Sequence, residues 1–257
     1  MLVRRRILGF ALLCALCGVC LGCDDSAPPK NPFAPPADAP KKPPPVTKPP
    51  TPKGPPELVV DTISPKVGFG RVVLNKPSDR QKLSKAIDEV KDDYSGHEAK
   101  LVVDRQAKPE WVIAMLEELA RIGASPIVVK TDTREEFTKQ LQMFSESQAE
   151  SPPSCAVVAM ILPDRGTAVW KLSGGTAAKR GKGLAGPDLS MTGDTLARYA
   201  KGCKQSDWLF VSGSEGIEWG LIYDLAASAK RIEKQPYRRI VLLSQPPIAG
   251  RAVHLSR

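Results

Sequence analysis

Two stretches of this chain present the same order of strands and helices, and that duplication limits the fold more than any other feature. In the first, residues 58–60 and 71–74 read as short strands. Ser78 then caps a helix striped by Leu83, Ile87 and Val90, with Gln81 placed to complete a capping box. A strand over 99–103 ends at Asp104, and a helix opens on Pro109 and Glu110. Val112, Ile113, Leu116, Leu119 and Ala120 stripe that helix, Gly123 stops it, and 126–130 is the next strand. In the second stretch, strands at 156–162 and 168–171 precede a helix striped by Leu196, Tyr199, Ala200 and Cys203. A strand at 208–212, a helix carrying Leu221, Ile222, Leu225, Ala226 and Ala229, and a strand at 239–243 complete it. Setting Leu101 against Phe210 brings Leu116 onto Leu225 without a gap. Between the copies, 133–144 reads as an amphipathic helix with Phe137, Leu141 and Phe144 on one face, followed by a polar linker over 145–154.

These patterns predict an α+β fold of two tandem two-layer modules, residues 58–146 and 155–246. Each would be a small sheet with two helices on one face, with its own core and able to fold alone. The alternative is that the copies pair edge to edge within one chain.

The start of the chain predicts export. Arg4, Arg5 and Arg6 precede an apolar run over 7–21, too short to span roughly 30 Å of hydrocarbon comfortably and fitting a secretory leader of residues 1–22. The run closes on Cys20-Leu-Gly-Cys23, which resembles the bacterial lipobox, with Cys20 where Leu is usual. The resemblance makes Cys23 the lipidated residue and ties the protein to the inner or outer membrane of the envelope. From 27 to 57 there are 14 prolines in 31 residues, interspersed with lysines. Such a segment has almost no apolar surface to bury and reads as a solvated tether, residues 23–57, reaching on the order of 100 Å when extended.

Losing the leader's three arginines lowers the formal charge from +9 to +6. A mild basic excess in an exported protein suits anionic envelope surfaces, and nucleic acid is not expected as a partner there. Cys155 and Cys203 are then the only thiols besides the lipidated one. An even pair in an oxidising compartment suggests a disulfide, although Cys203 on an apolar stripe would also pack well as a free thiol.

The stretch Ala99-Lys-Leu-Val-Val-Asp104, followed by Trp111-Val-Ile-Ala-Met-Leu-Glu-Glu-Leu-Ala-Arg-Ile-Gly123 and Pro126-Ile-Val-Val-Lys-Thr131, resembles the periplasmic domain of ExbD/TolR-type biopolymer transport proteins. The resemblance covers roughly 70–131, and the second copy follows it only in pattern, with Ser212-Gly213 at the place of Asp104. It implies a small sheet covered on one face by two helices, serving binding and dimerisation rather than catalysis, with Asp104 as the family-like acid at a strand end. Read from the chain alone, Asp104 is a residue capping the following turn. Members of that family carry an acid in a membrane-spanning helix; the run 7–21 has none, and Asp24 and Asp25 lie beyond the cleavage point.

Catalytic and metal-binding patterns do not emerge. His97 and His254 are the only histidines and neither has a ligand partner at metal spacing. The glycine-rich stretch 173–183 lacks P-loop spacing and reads as a mobile basic hairpin extension. No catalytic residue, metal or cofactor is expected. The function these features suggest is a non-enzymatic envelope lipoprotein that binds a protein partner or peptidoglycan, through a free sheet edge that adds a strand from a second head or from an extended partner segment. A cell-envelope enzyme scaffolded on these modules is the second reading, and a module of a secretion or transport machine a third.

Overall fold

A computed structural model of the protein describes residues 54–175 and 178–255. The predicted leader, Cys23 and most of the proline-rich stretch lie outside the described residues. The first repeat opens with three short antiparallel strands, β1 (Leu58–Val60), β2 (Pro65–Val67) and β3 (Gly70–Arg71). Helices α1 (Arg80–Asp88) and α2 (Lys91–Tyr94) follow, then β4 (Ala99–Val103), α3 (Pro109–Arg121) and β5 (Ile127–Thr131). The second repeat runs β7 (Val157–Ile161), β8 (Thr167–Lys171), β9 (Lys179–Gly181), α4 (Leu189–Gly202), β10 (Trp208–Gly213), α5 (Trp219–Ala229) and β11 (Arg239–Leu242). Apart from the short α2, the order is the same in both.

Local chemistry explains most of the boundaries. Pro109 sits at the first turn of α3, and Gly123 beyond its end takes a φ of 82°, a left-handed conformation that costs glycine little. In β4 burial alternates, with Ala99, Leu101 and Val103 inward, as a strand with one solvated face should. In β7 all five residues are buried, because both of its faces are covered. The capping box expected at Ser78 and Gln81 does not start α1. Asp79 precedes that helix, and its carboxylate instead accepts from the backbone N–H of Asn75 and Lys76. A capping box forms at Ser145 and Gln148, in the stretch read as a linker.

The two-module expectation is wrong. Among the described residues eleven strands form one continuous mixed sheet, in the order β3-β2-β1-β4-β5-β6-β11-β10-β7-β8-β9, and with five helices they make an α/β fold. The joint is β6 (Gln140–Ser145), in the segment predicted to be an amphipathic helix. It pairs antiparallel with β5 (Val129 opposite Leu141) and parallel with β11 (Ile240 opposite Met143). A helix there would have left β5 and β11, both largely apolar, with bare edges, whereas a strand satisfies the backbone of both. Leu141 and Met143 face the helices at strand spacing, and Phe144 points the other way, edge-on to Trp208 at 6.3 Å. Phe137 is buried in the loop before the strand.

One apolar core runs under the helices of both repeats, from Leu58 and Leu101 through Val129 and Leu141 to Leu209 and Ile240. On the opposite face the halves differ. In the second repeat, Trp170, Phe210 and Val241 are covered by the C-terminal segment; Trp170 Nε1 donates to the Arg251 carbonyl at 2.8 Å and Val253 N to the Leu172 carbonyl at 2.9 Å. Gly174, at φ 67°, lets this segment lie close, since a Cβ there would collide with the backbone of Arg251 and Ala252. In the first repeat the same face carries Lys100, Val102 and Lys130 and is solvated.

Two buried tyrosines tie loops to this frame. Tyr237 Oη donates to the Leu196 carbonyl at 2.7 Å and Tyr223 Oη to the Thr138 carbonyl at 3.2 Å. Burial pushes both phenols well above their ordinary value, helped by the charge of Asp224 for Tyr223 and by Tyr199 for Tyr237. Both are neutral in folded and unfolded chains below about pH 10; above it the unfolded chain ionises first. Stability is therefore expected to fall as pH rises past about 10, by roughly 1.4 kcal/mol per pH unit for each tyrosine. Urea titrations from pH 9 to 11, with Tyr237→Phe as comparison, check this; a variant with an unchanged alkaline slope would contradict it.

Candidate functional site

The carboxyl end of β4 is where the family-like acid was expected. Asp104 is there, exposed, with Oδ1 accepting from Gln106 N at 2.7 Å, and its own N donates to the Val60 carbonyl at 2.8 Å. It closes the turn after the strand. The next residue does more. Arg105 reaches from the first repeat to α5 of the second and grips Asp224 with two hydrogen bonds, of 3.0 and 2.9 Å, while also donating to the Asp132 carbonyl at 2.9 Å. Thr133 Oγ1 donates to the same carboxylate, and Arg134 Nε lies 3.7 Å from it. The hydrogen bonds it donates to Asp224 raise the Arg105 pKa above its ordinary value, against the opposing effect of burial.

Asp224 is completely buried and is the one charged residue of its helix. Its counterpart in the first repeat, by the offset that matches Leu116 to Leu225, is Met115. The second repeat therefore carries a carboxylate where the first has core, and the first supplies the cation. Around this pair, Trp219 Nε1 donates to Thr131 Oγ1 at 2.8 Å and Gly220 N to the Arg105 carbonyl at 2.7 Å. The cluster locks the loops after β4 and β5 onto α5. Asp224→Ala is expected to cost about 3 kcal/mol, the low end for breaking a buried pair because Arg105 is partly exposed and can turn to water. Chemical denaturation measures this, and a loss below about 1 kcal/mol would deny the lock its role.

Beside the lock, α4, the end of α5 and the loop at 134–137 enclose an open groove of about 840 Å³. Its sides are formed by small or apolar residues, among them Gly193, Ala197, Ala200, Phe137 and Ile232. Arg231 lies 5.6 Å over the Phe137 ring. The charged residues at the groove are balanced in sign. Arg134, Lys201, Arg231 and Lys234 supply the cations. Glu136, Asp188, Asp194 and Glu233 supply the carboxylates, Asp188 being committed to the Met191 N–H as the cap of α4.

Other expected features fall elsewhere. Cys155 and Cys203 are joined in a disulfide, Cα atoms 5.7 Å apart, fastening the C-terminal end of α4 to the start of β7. Part of the glycine-rich stretch, read as a mobile extension, is edge strand: Lys179–Gly181 is β9, paired with β8, and Lys182 binds Asp164 at 3.1 Å. Among the described residues no group of three His, Cys, Asp or Glu could hold a metal ion, and no helix is long and apolar enough to cross a membrane. The bridge fits an oxidising, extracytoplasmic compartment.

The sequence reading missed Arg105, Asp224 and the groove. A lone carboxylate inside Trp219-Gly-Leu-Ile-Tyr-Asp224-Leu-Ala-Ala was a usable signal, because an acid in an apolar helix is rarely left without a partner. The groove had none, being a matter of small residues and of which loop faces them. Comparison of the chain with protein-family models, with curated proteins and with solved structures gives no match in any of the three, so the likeness to ExbD/TolR-type proteins rests on the sequence resemblance over roughly residues 70–131 alone.

Proposed function

We propose that this chain is a non-enzymatic lipoprotein of the bacterial envelope. Cys23 carries the lipid, the proline-rich segment is the tether, and the folded head is a binding module related to ExbD/TolR-type transport components. The observation that carries the binding role is the groove: a built concavity lined by small and apolar side chains and rimmed by charges of both signs. The leader and the Cys155–Cys203 bridge support the location.

Binding through a sheet edge has less support than the sequence reading gave it. The inner edges are consumed by β6, and the outer strands, β3 and β9, are two and three residues long. β9 carries Lys179 and Arg180, so two heads meeting through that edge would repel.

Two measurements test the reading. Mass spectrometry of the mature protein should find its N-terminus at a lipid-modified Cys23; a mature chain beginning elsewhere removes the lipoprotein assignment. The purified protein, presented with envelope extract and with isolated cell-wall sacculi, should retain one of them specifically. Retention of neither would end the binding-module reading, and turnover of a wall substrate would replace it with the enzyme reading.

A further inference from the structure

The surface between α4 and α5 has a counterpart between α1 and α3, and the two differ in how their charges are used. In the first repeat Arg80 binds Glu117 and Glu118, Ser84 donates to Glu118 at 2.7 Å, and Arg121 spans Glu118 and Asp88 at 2.7 and 2.8 Å. The helices are stitched together and every one of those charges is answered within the chain. At the groove of the second repeat only Arg134, near Asp224, and Asp188, capping α4, are so engaged. Glu136, Asp194, Lys201, Glu233 and Lys234 have no ion pair among the described residues. Arg231 has only the Phe137 ring.

We propose that this groove takes a peptide segment of an envelope protein, one carrying acidic and basic side chains together. The proposal deepens the binding-module reading and rests on it. Charge selects the ligand class: four cations face four carboxylates, so the groove offers no net attraction to a polyanion such as a phospholipid surface, whereas a peptide of mixed charge answers both signs. Size agrees. The wall formed by α4 is 14 residues long, about 21 Å at 1.5 Å per residue. That length accepts roughly six residues of extended peptide at about 3.3 Å each. The groove sides, with Gly193 and Ala197 on α4, leave room for the ligand's backbone, and its side chains reach the charged rim.

Gly193 gives a direct test, because a Cβ placed there meets nothing within 4 Å and its backbone conformation suits any L residue. Gly193→Trp should fill the groove while leaving the melting temperature unchanged. Peptides selected from a random phage-displayed library on the purified full-length protein serve as probes, read by fluorescence anisotropy. Selected peptides should carry both charge signs, bind the variant at least about tenfold more weakly, and weaken at about 0.5 M salt, where screening is strong. Asp194→Lys, an exposed change, should shift selection toward acidic side chains should the tryptophan disturb the helix. Peptides that ignore both substitutions, or a selection that yields none, overturn the proposal. Muropeptides binding in a Gly193-dependent way where peptides do not would overturn it in favour of the cell wall. Should envelope extract or sacculi be retained equally by Gly193→Trp and the unaltered protein, the binding module stands and the groove assignment falls. Retention by neither removes the module itself.

Discussion

Residues 54–146, produced without the rest of the chain, are expected to show no cooperative thermal unfolding, while the full chain shows one transition. The first repeat holds its own strands and helices, yet two elements of the second, β11 and α5, support it. Without β11, the outer side of β6 loses its backbone partners, and Leu141 and Met143 lose the apolar neighbours that follow from Ile240 and Leu242. Without α5, Arg105 has no Asp224, and the Thr131 hydroxyl no longer receives the Trp219 N–H. A repeat of this size has a small core and little stability to lose, on the order of 3–5 kcal/mol. The removed pair alone accounts for a comparable amount, about 3 kcal/mol. Circular dichroism melts compare the fragment with the whole chain. A cooperative transition in the fragment would mean the halves are modules after all, joined but not interdependent.

Removing the disulfide is the second large effect expected. Cys155 and Cys203 are separated by 48 residues, and closing a loop of that length restricts the unfolded chain by about 4 kcal/mol in the chain-entropy description. For a domain of this size that is a fall in melting temperature on the order of 10 °C. The loss should be concentrated on α4, whose buried residues are only Leu189, Thr192, Thr195 and Leu196, and which depends on the bridge at its C-terminal end. Cys155→Ala combined with Cys203→Ala, followed by hydrogen exchange, separates local from global loosening. Equal melting temperatures with and without the bridge would show that packing alone holds α4.

Those two results bear on what could be read from the chain. Each β4-type and α3-type element was legible because its signals are local: Pro109 and Gly123 bracket one helix, and alternation from Ala99 to Val103 marks a strand. The duplication was legible for the same reason. How the copies join was not, because it depends on what 140–145 pairs with, and its partners are Val129 nearby and Ile240 about a hundred residues away. Phe137, Leu141 and Phe144 fit a helical stripe; Leu141 and Met143 fit a strand equally well, and the need to cover two open edges decides between them. Asp104 was singled out for its place at a strand end, while the residue that reaches across the molecule is its neighbour Arg105, whose importance exists only once Asp224 is brought beside it. The groove is further still from sequence, since its definition is an arrangement of small residues on α4 against a loop from the other side of β6.

The open sheet face of the first repeat supplies a built-in control for function. Gln142 is exposed on that face, remote in kind from the groove and part of no polar cluster. A photoreactive amino acid placed at Gly193 in living cells, and in parallel at Gln142, reads contacts where the protein works. The assignment of the groove as a peptide-binding site predicts a discrete crosslink to an envelope polypeptide from position 193 and none from position 142. No crosslink from 193, or the same products from both positions, would contradict it.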